Sequence, residues 1–209
     1  MTHIDHIVFD VGKVLIHWDP NLVYLDLIPD DEERQHFLTH ICSPDWNMEQ
    51  DRGRDWTEAE DLLITGHPEK AEWIRAFSKD WIKSIPHAYL DIVSVYEGLI
   101  DAGRDVTLLT NFNQHKFVEA KKKFDFLTRA RGETVSGLVE LVKPEPDIYA
   151  HHHSTHGLDP AATLFIDDSI ANIEAARAAG WQAIHFAGLE GAAKLTAALK
   201  QHGIDAKPS

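Results

Sequence analysis

The sequence predicts an α/β protein: a doubly wound parallel sheet with an all-helical unit inserted near its start. Three observations lead to that expectation. Short apolar runs ending on polar residues alternate with helix-like stretches, as strands and crossover helices do in an open sheet. The first run, Ile7-Val8-Phe9, stops on Asp10 and is followed by Val11-Gly12. About 90 residues then separate it from the next strand able to pair with it, whereas a crossover needs only about a dozen and a structureless loop of that length does not suit a compact domain.

A first strand near residues 4–10 leads into the insertion, residues 17–87. Its segments 30–42, 57–65 and 69–84 have helical periodicity and no convincing strand, which predicts a small bundle. Trp46, Trp56, Trp73 and Trp81 all fall within it. At that density the rings are expected to be mostly core, with one or two facing a crevice. After the insertion the predicted order is helix 88–102, strand 105–110, helix 113–123, strand 134–139, helix 145–156, strand 163–167, helix 169–179, strand 181–186 and helix 189–201. The helix beginning at Ser169 is the best punctuated: Ser suits a helix start, the body is rich in alanine, and Gly180 suits a left-handed end. Its unpaired amides, directly after Asp168, can help to hold an anion. The expected division is a core of residues 1–16 and 88–209 and an insertion of residues 17–87.

Composition narrows the class. A chain of 209 residues with 44% apolar content can bury a substantial core. No apolar run approaches the roughly 18 residues needed to span a bilayer, and no basic segment precedes a long apolar one, so a cytoplasmic protein without a membrane partner is expected. Cys42 is the only cysteine, which excludes an intramolecular disulfide and reads as a small, inert, half-buried residue. The formal charge of −14 argues against nucleic acid as a partner. An anion site on such a chain must be made locally, by a metal ion, a lysine and backbone amides.

The chemistry-bearing residues stand where such a fold collects them. The strand Val106-Thr107-Leu108-Leu109 ends on Thr110-Asn111, and Thr163-Leu164-Phe165-Ile166 ends on Asp167-Asp168. Lys143 precedes a helical stretch in Leu141-Val142-Lys143-Pro144. In an open parallel sheet the carboxyl ends of the strands converge on one crevice, where ligands bind.

These residues resemble the haloacid dehalogenase-like (HAD) hydrolase superfamily over nearly the whole chain. Four motifs occur in order: Phe9-Asp10-Val11-Gly12, Thr110-Asn111, Lys143-Pro144 and Phe165-Ile166-Asp167-Asp168. The insertion after the first motif, and the string Asn172 to Gly180, resemble the first subclass, with its helical cap. The resemblance implies a Rossmann-like core and a Mg²⁺-dependent phosphatase acting on a small phosphomonoester, with sugar phosphates as the preferred class. Asp10 is then the nucleophile that forms an aspartyl-phosphate. Asp10, Asp167, Asp168 and the backbone carbonyl of Gly12 are the Mg²⁺ ligands, a donor set of oxygens suited to a hard cation. Asp168 is expected to touch the ion directly and Asp167 to support it. Lys143 offsets the remaining charge and orients Asp10, while the Thr110 hydroxyl and the Asn111 amide hold phosphate oxygens.

The family motif usually reads Asp-x-Asp, and here Gly12 stands in place of the second aspartate, the general acid and base. Loss of a positioned proton donor typically costs about 10²- to 10⁴-fold in rate, although some family phosphatases with an Asp-Leu-Gly-Asn start remain active. His17 is the leading substitute because an unperturbed imidazole titrates near neutral pH. Asp19, Lys13 and the polar turn Glu49–Arg54 lie in segments able to approach the crevice. The tract His151-His152-His153 with His156 is not expected to be a functional metal site, since successive helical positions point in different directions. Lys121–Lys123 read as a solvated helix end. Two other readings fit the same motifs. A 2-haloacid dehalogenase would use Asp10 without a metal and would tolerate Gly12, and a catalytically silent module would only bind a metabolite or a partner. The oligomeric state is expected to be monomer or homodimer.

Overall fold

The computed structural model describes residues 3–206. Five strands, β1 (His6–Phe9), β2 (Asp105–Thr110), β3 (Gly132–Val135), β4 (Thr163–Asp167) and β5 (Gln182–His185), form one sheet in the order β3-β2-β1-β4-β5. All of the pairings are parallel. Because the chain builds outward from β1 through β2 to β3 and then returns to β1's other side with β4, the switch in strand order falls at β1. That is the position at which such sheets open a crevice. Ile7, Val8 and Phe9 are wholly buried, as expected of a central strand covered by helices on both faces.

Eleven α-helical segments complete the described chain: α1 (Asn21–Tyr24), α2 (Asp31–His40), α3 (Pro44–Asp51), α4 (Trp56–Gly66), α5 (Ala71–Lys79), α6 (Leu90–Asp101), α7 (Gln114–Lys123), α8 (Ser136–Val139), α9 (Pro146–His156), α10 (Ile170–Ala178) and α11 (Ala192–Gln201). None is long and apolar enough to cross a membrane. Helices α1 to α5 enclose an apolar cluster of Val23, Tyr24, Ile28, Phe37, Ile74 and Phe77, against which Trp46, Trp56 and Trp73 pack. Trp81 instead joins the larger cluster beneath the sheet. Cys42 is buried at 2% exposure, deeper than the half-burial expected of it. The two chain segments linking the insertion to the sheet run side by side, with His17 N–H donating to His87 O and Tyr89 N–H to Leu15 O.

Three local expectations are corrected. The strand expected at 134–139 ends at Val135 and the chain turns into α8, because Ser136 Oγ accepts from Phe112 N–H and donates to Asp51 O. Ser169 precedes α10 but its hydroxyl does not cap it. Its N–H is instead taken by the Asp167 carboxylate at 2.8 Å. Gly180 does close that helix region in the left-handed conformation, φ +87°. The lysines at the end of α7 are not simply solvated, since Lys121 pairs with Glu133 and Lys123 donates to Ile85 O.

The histidine tract has a structural role at one position. His152 is wholly buried, with Nε2 at 3.0 Å from Thr107 Oγ1 and Nδ1 at 2.8 Å from Thr134 Oγ1, which ties α9 to β2 and β3. Burial foremost, then the neighbouring His156, His151 and Arg131, push its pKa well below the ordinary 6.5. The unfolded chain therefore binds one more proton below about pH 6.5 than the fold does. His152's contribution is fully present above that pH and is lost as pH falls. In His152→Gln, the stability gap to wild type is expected to shrink by up to about 1.4 kcal/mol per pH unit below pH 6.5. Urea unfolding of both proteins at pH 7 and pH 5 checks this, because other titrations cancel in the difference.

Candidate functional site

Asp10 follows directly on β1, and its N–H donates to Ile166 O at 2.9 Å, carrying the ladder with β4 one residue further. Its carboxylate is thus fixed at the switch point, between the ends of β2 and β4. Lys143 reaches the same place from the loop before α9. It is 2% exposed, and its ammonium donates to Asp10 Oδ1 at 2.8 Å, Asp167 Oδ2 at 2.7 Å and Leu109 O at 3.0 Å. A lysine has three protons to give, and all three have acceptors here.

Asn111 holds Lys143 in register. Its Oδ1 accepts Lys143 N–H at 2.8 Å and its Nδ2 donates to Lys143 O at 2.9 Å. Asp167 is equally enclosed: besides Lys143 it accepts from Ser169 N–H at 2.8 Å and from Asn172 Nδ2 at 2.9 and 3.1 Å. Oxygens of Asp10, Asp167 and Asp168 lie within 4.8 Å of one another. Three carboxylates therefore face one ammonium.

The electrostatics follow from that imbalance. Burial pushes the Asp10 carboxyl up to about 7, with Asp167 and Asp168 adding to the rise and Lys143 opposing it. Asp168 is also raised, first by burial and then by Asp167. Burial works against the Lys143 ammonium, but Asp10 and Asp167 outweigh it and the pKa rises. Lys143 stays charged.

A cavity of about 340 Å³ opens above this cluster, with Asp10, Gly12, Thr110, Asn111, Lys143 and Asp168 among its lining residues. The structure thus brings together seven of the eight residues singled out from the sequence, Asp167 lying just behind the wall. Gly12 lines the space with no side chain, and a Cβ added there would meet nothing within 4 Å. His17 is the exception. It does not line the cavity: its Nδ1 is 2.9 Å from Tyr89 Oη and its ring stacks on His87 with centroids 4.9 Å apart. Asp19 is likewise engaged elsewhere, accepting from Asn21 N–H and Nδ2 at the start of α1. Lys13 does reach the cavity wall, with Nζ 5.3 Å from the centre of the Trp18 ring.

Sequence reasoning missed the helix that covers the site. The segment Glu49–Arg54 is not only a polar turn; Glu49, Gln50 and Asp51 end α3. The signal for that helix was Ser43 followed by Pro44, a cap and a first-turn proline, but its body lacks an apolar stripe. Asn47, Met48 and Asp51 line the cavity, as do Trp18, Trp56 and Trp81. The end of α3 is clamped to the sheet loops: Asn113 Nδ2 donates to Gln50 O at 3.1 Å, and Arg52 makes a bidentate pair with Glu145 at 2.9 and 2.6 Å. Gly53, at φ +108°, passes so close to Gly137 O that a Cβ would lie 3.0 Å from it.

A family model for haloacid dehalogenase-like hydrolases matches residues 4–180. The fold is shared with the HAD family enzyme BT-2542 of Bacteroides thetaiotaomicron, crystallised as a mutant with magnesium and inorganic phosphate (20% identity, 92% of this chain and 98% of that one, TM-score 0.70). It is shared with a predicted HAD-like hydrolase of Porphyromonas gingivalis (20% identity, 95% and 98%, TM-score 0.72). It is shared also with an L-2-haloacid dehalogenase of Xanthobacter autotrophicus carrying covalently bound chloropropionic acid (18% identity, 86% and 76%, TM-score 0.59). No curated protein matches the sequence.

Removing the ammonium leaves buried carboxylates facing one another without compensation. Lys143→Met is therefore expected to lower the unfolding free energy of the metal-free protein by roughly 3–5 kcal/mol. Urea denaturation at pH 7.5 measures it.

Proposed function

The chain belongs to the haloacid dehalogenase-like hydrolases, and from that premise we propose that it is a Mg²⁺-dependent phosphatase of a small phosphomonoester, working through a phosphorylated Asp10. The observation that carries this reading is the cluster of the buried Asp10 and Asp167 and the half-buried Asp168 around the single Lys143. Such an excess of carboxylate calls for a hard cation bound through oxygen. The residues fit Mg²⁺: Asp10, Asp168 and the Gly12 carbonyl would hold it. Asp167, whose oxygens already accept from Lys143, Ser169 and Asn172, would support it. When bound, the ion supplies positive charge against the phosphate oxygens. BT-2542, whose structure contains magnesium and inorganic phosphate, supports the same pairing of ion and ligand.

The chain's own residues supply the rest. Asp10 attacks phosphorus in line, and the ester oxygen departs with a proton. Water then cleaves the aspartyl-phosphate, so one hard displacement becomes two easier ones. Lys143 fixes the Asp10 carboxylate and offsets its charge. Thr110, buried at the end of β2, offers its hydroxyl to a phosphate oxygen. The Asn111 side chain is committed to Lys143, which leaves its backbone amide for the phosphate. The indole walls of Trp18, Trp56 and Trp81 suit the apolar face of a sugar ring, so sugar phosphates are the substrates to screen first.

Gly12 favours one other reading, a 2-haloacid dehalogenase, because a departing halide needs no proton. The acidic pair weighs against it, since Asp167 and Asp168 would repel an anionic haloacid. Phosphate release from p-nitrophenyl phosphate separates the two. Turnover is expected with Mg²⁺, is expected to disappear with chelator, and is expected to fall below detection in Asp10→Asn with the fold intact by circular dichroism. Chelator-insensitive chloride release from 2-chloropropionate, with no phosphate release, would establish the dehalogenase instead.

A further inference from the structure

We propose that Asp51, carried in by α3, is the proton donor and acceptor for which Gly12 has no side chain; this role rests on the phosphatase reading. Two independent pieces of geometry carry it. At Gly12 the wall of the cavity is open, with nothing within 4 Å of an added Cβ, so the first motif offers no acid to the departing oxygen. Asp51 lines the same cavity as Asp10 and Gly12, and its carboxylate is held in place, with Oδ1 accepting Asn113 N–H at 3.1 Å and Oδ2 accepting Asn47 Nδ2 at 3.0 Å.

Asp10 pairs with Lys143 and the Asp168 carboxyl feels Lys13 and Lys143, whereas among the described residues no cation acts on Asp51 and no salt bridge reaches it. On its own segment Arg52 pairs with Glu145 and Glu49, on α7 Lys116 pairs with Glu119, and from the sheet loops Lys143 pairs with Asp10 and Asp167. Lys13, Asp10 and Asp168 are the other charged groups of the shared cavity. Burial pushes the Asp51 carboxyl up to about 7, against the hydrogen bonds from Asn113 and Asn47. A group that is half protonated near neutral pH can both give and take a proton there.

The steps balance. As Asp10 bonds to phosphorus and the bond from phosphorus to the ester oxygen breaks, the Asp51 carboxylic acid gives its proton to that oxygen and the alcohol leaves. The resulting Asp51 carboxylate then takes a proton from water as the water oxygen bonds to phosphorus and the Asp10–phosphorus bond breaks. Both carboxyl groups and free phosphate are restored. Because Asp51 O accepts from Ser136 Oγ and Asn113 is bonded to both Gln50 and Asp51, the acid is present only while α3 is docked on the sheet loops.

The test compares leaving groups. With Mg²⁺, Asp51→Asn is expected to slow an alkyl phosphate such as a hexose phosphate by about 10²-fold or more in kcat, yet to slow p-nitrophenyl phosphate, whose phenolate needs no proton, by less than about threefold. In wild type, kcat/KM for the alkyl substrate is expected to fall as pH rises above about 7, and that limb is expected to vanish in the variant. Adding Gly12→Asp to Asp51→Asn is expected to restore alkyl turnover at least tenfold, since the space at Gly12 is open. Arg52→Gln, which loosens the docking that brings the acid in, is expected to slow the alkyl phosphate more than p-nitrophenyl phosphate, in the same sense as Asp51→Asn and more weakly. Equal losses on both substrates in Asp51→Asn, or an unchanged pH profile, would overturn the proposal while leaving the phosphatase standing. No phosphate release by wild type from either substrate would overturn both.

Discussion

The interaction on which the rest of this structure depends is the buried ammonium of Lys143. It sits between Asp10 and Asp167 and donates also to Leu109 O, so one side chain ties together the ends of three adjacent strands. A buried ion pair is a poor source of net stability, because desolvation of the charges offsets most of the attraction. Its value here is positional. With all three protons committed, Lys143 has one geometry, and the amide clasp from Asn111 extends that geometry to the loop before α9. The carboxylates are consequently pre-placed, which is the condition for electrostatic catalysis without reorganisation.

The same cluster is deliberately short of positive charge. Asp10, Asp167 and Asp168 are held closer than three carboxylates would choose, and the raised pKa values of Asp10 and Asp168 record the strain of burial and mutual repulsion. A bound cation would relieve it. The floor of the cavity is thus polar and charged, whereas Trp18, Trp56, Trp81 and Met48 make much of its remaining wall apolar. Such a division suits a ligand with a charged end and a less polar body, the charged floor handling chemistry and the apolar wall handling selection.

Much of the framework was legible in the chain. The strands at Ile7–Phe9, Val106–Leu109 and Leu164–Ile166 are nearly continuous apolar runs, as fully covered parallel strands must be, and each stops on the polar residue that the site uses. Where that signal weakens, the reading fails. The third strand was extended too far because Val135 is followed by Ser136-Gly137-Leu138-Val139, apolar enough to continue a strand; Leu138 in fact lies exposed, and Ser136 is drawn into bonds with Phe112 and Asp51. Helix α3 escapes the periodicity because Trp46 and Met48 are its only large apolar residues and make no stripe: it is held by its ends and by the loops it rests on.

What the sequence by itself determined is which residues arrive at the carboxyl end of the sheet. A strand's direction and its terminal residue are local properties, and parallel pairing then lines up the strand ends in one row, with Asp10 level with Asp167 and Thr110 one position further along β2. What only the tertiary structure decided is which side chains from distant segments enter that row. His17, seven residues from Asp10, turns to Tyr89 and His87, while Asp51, separated from Asn113 by 62 positions, is bonded to it. Periodicity encodes which face of an element is buried. It does not encode the rotation and docking of an inserted helix against loops far along the chain, because those follow from long-range packing and hydrogen bonds that exist only once both parts have folded.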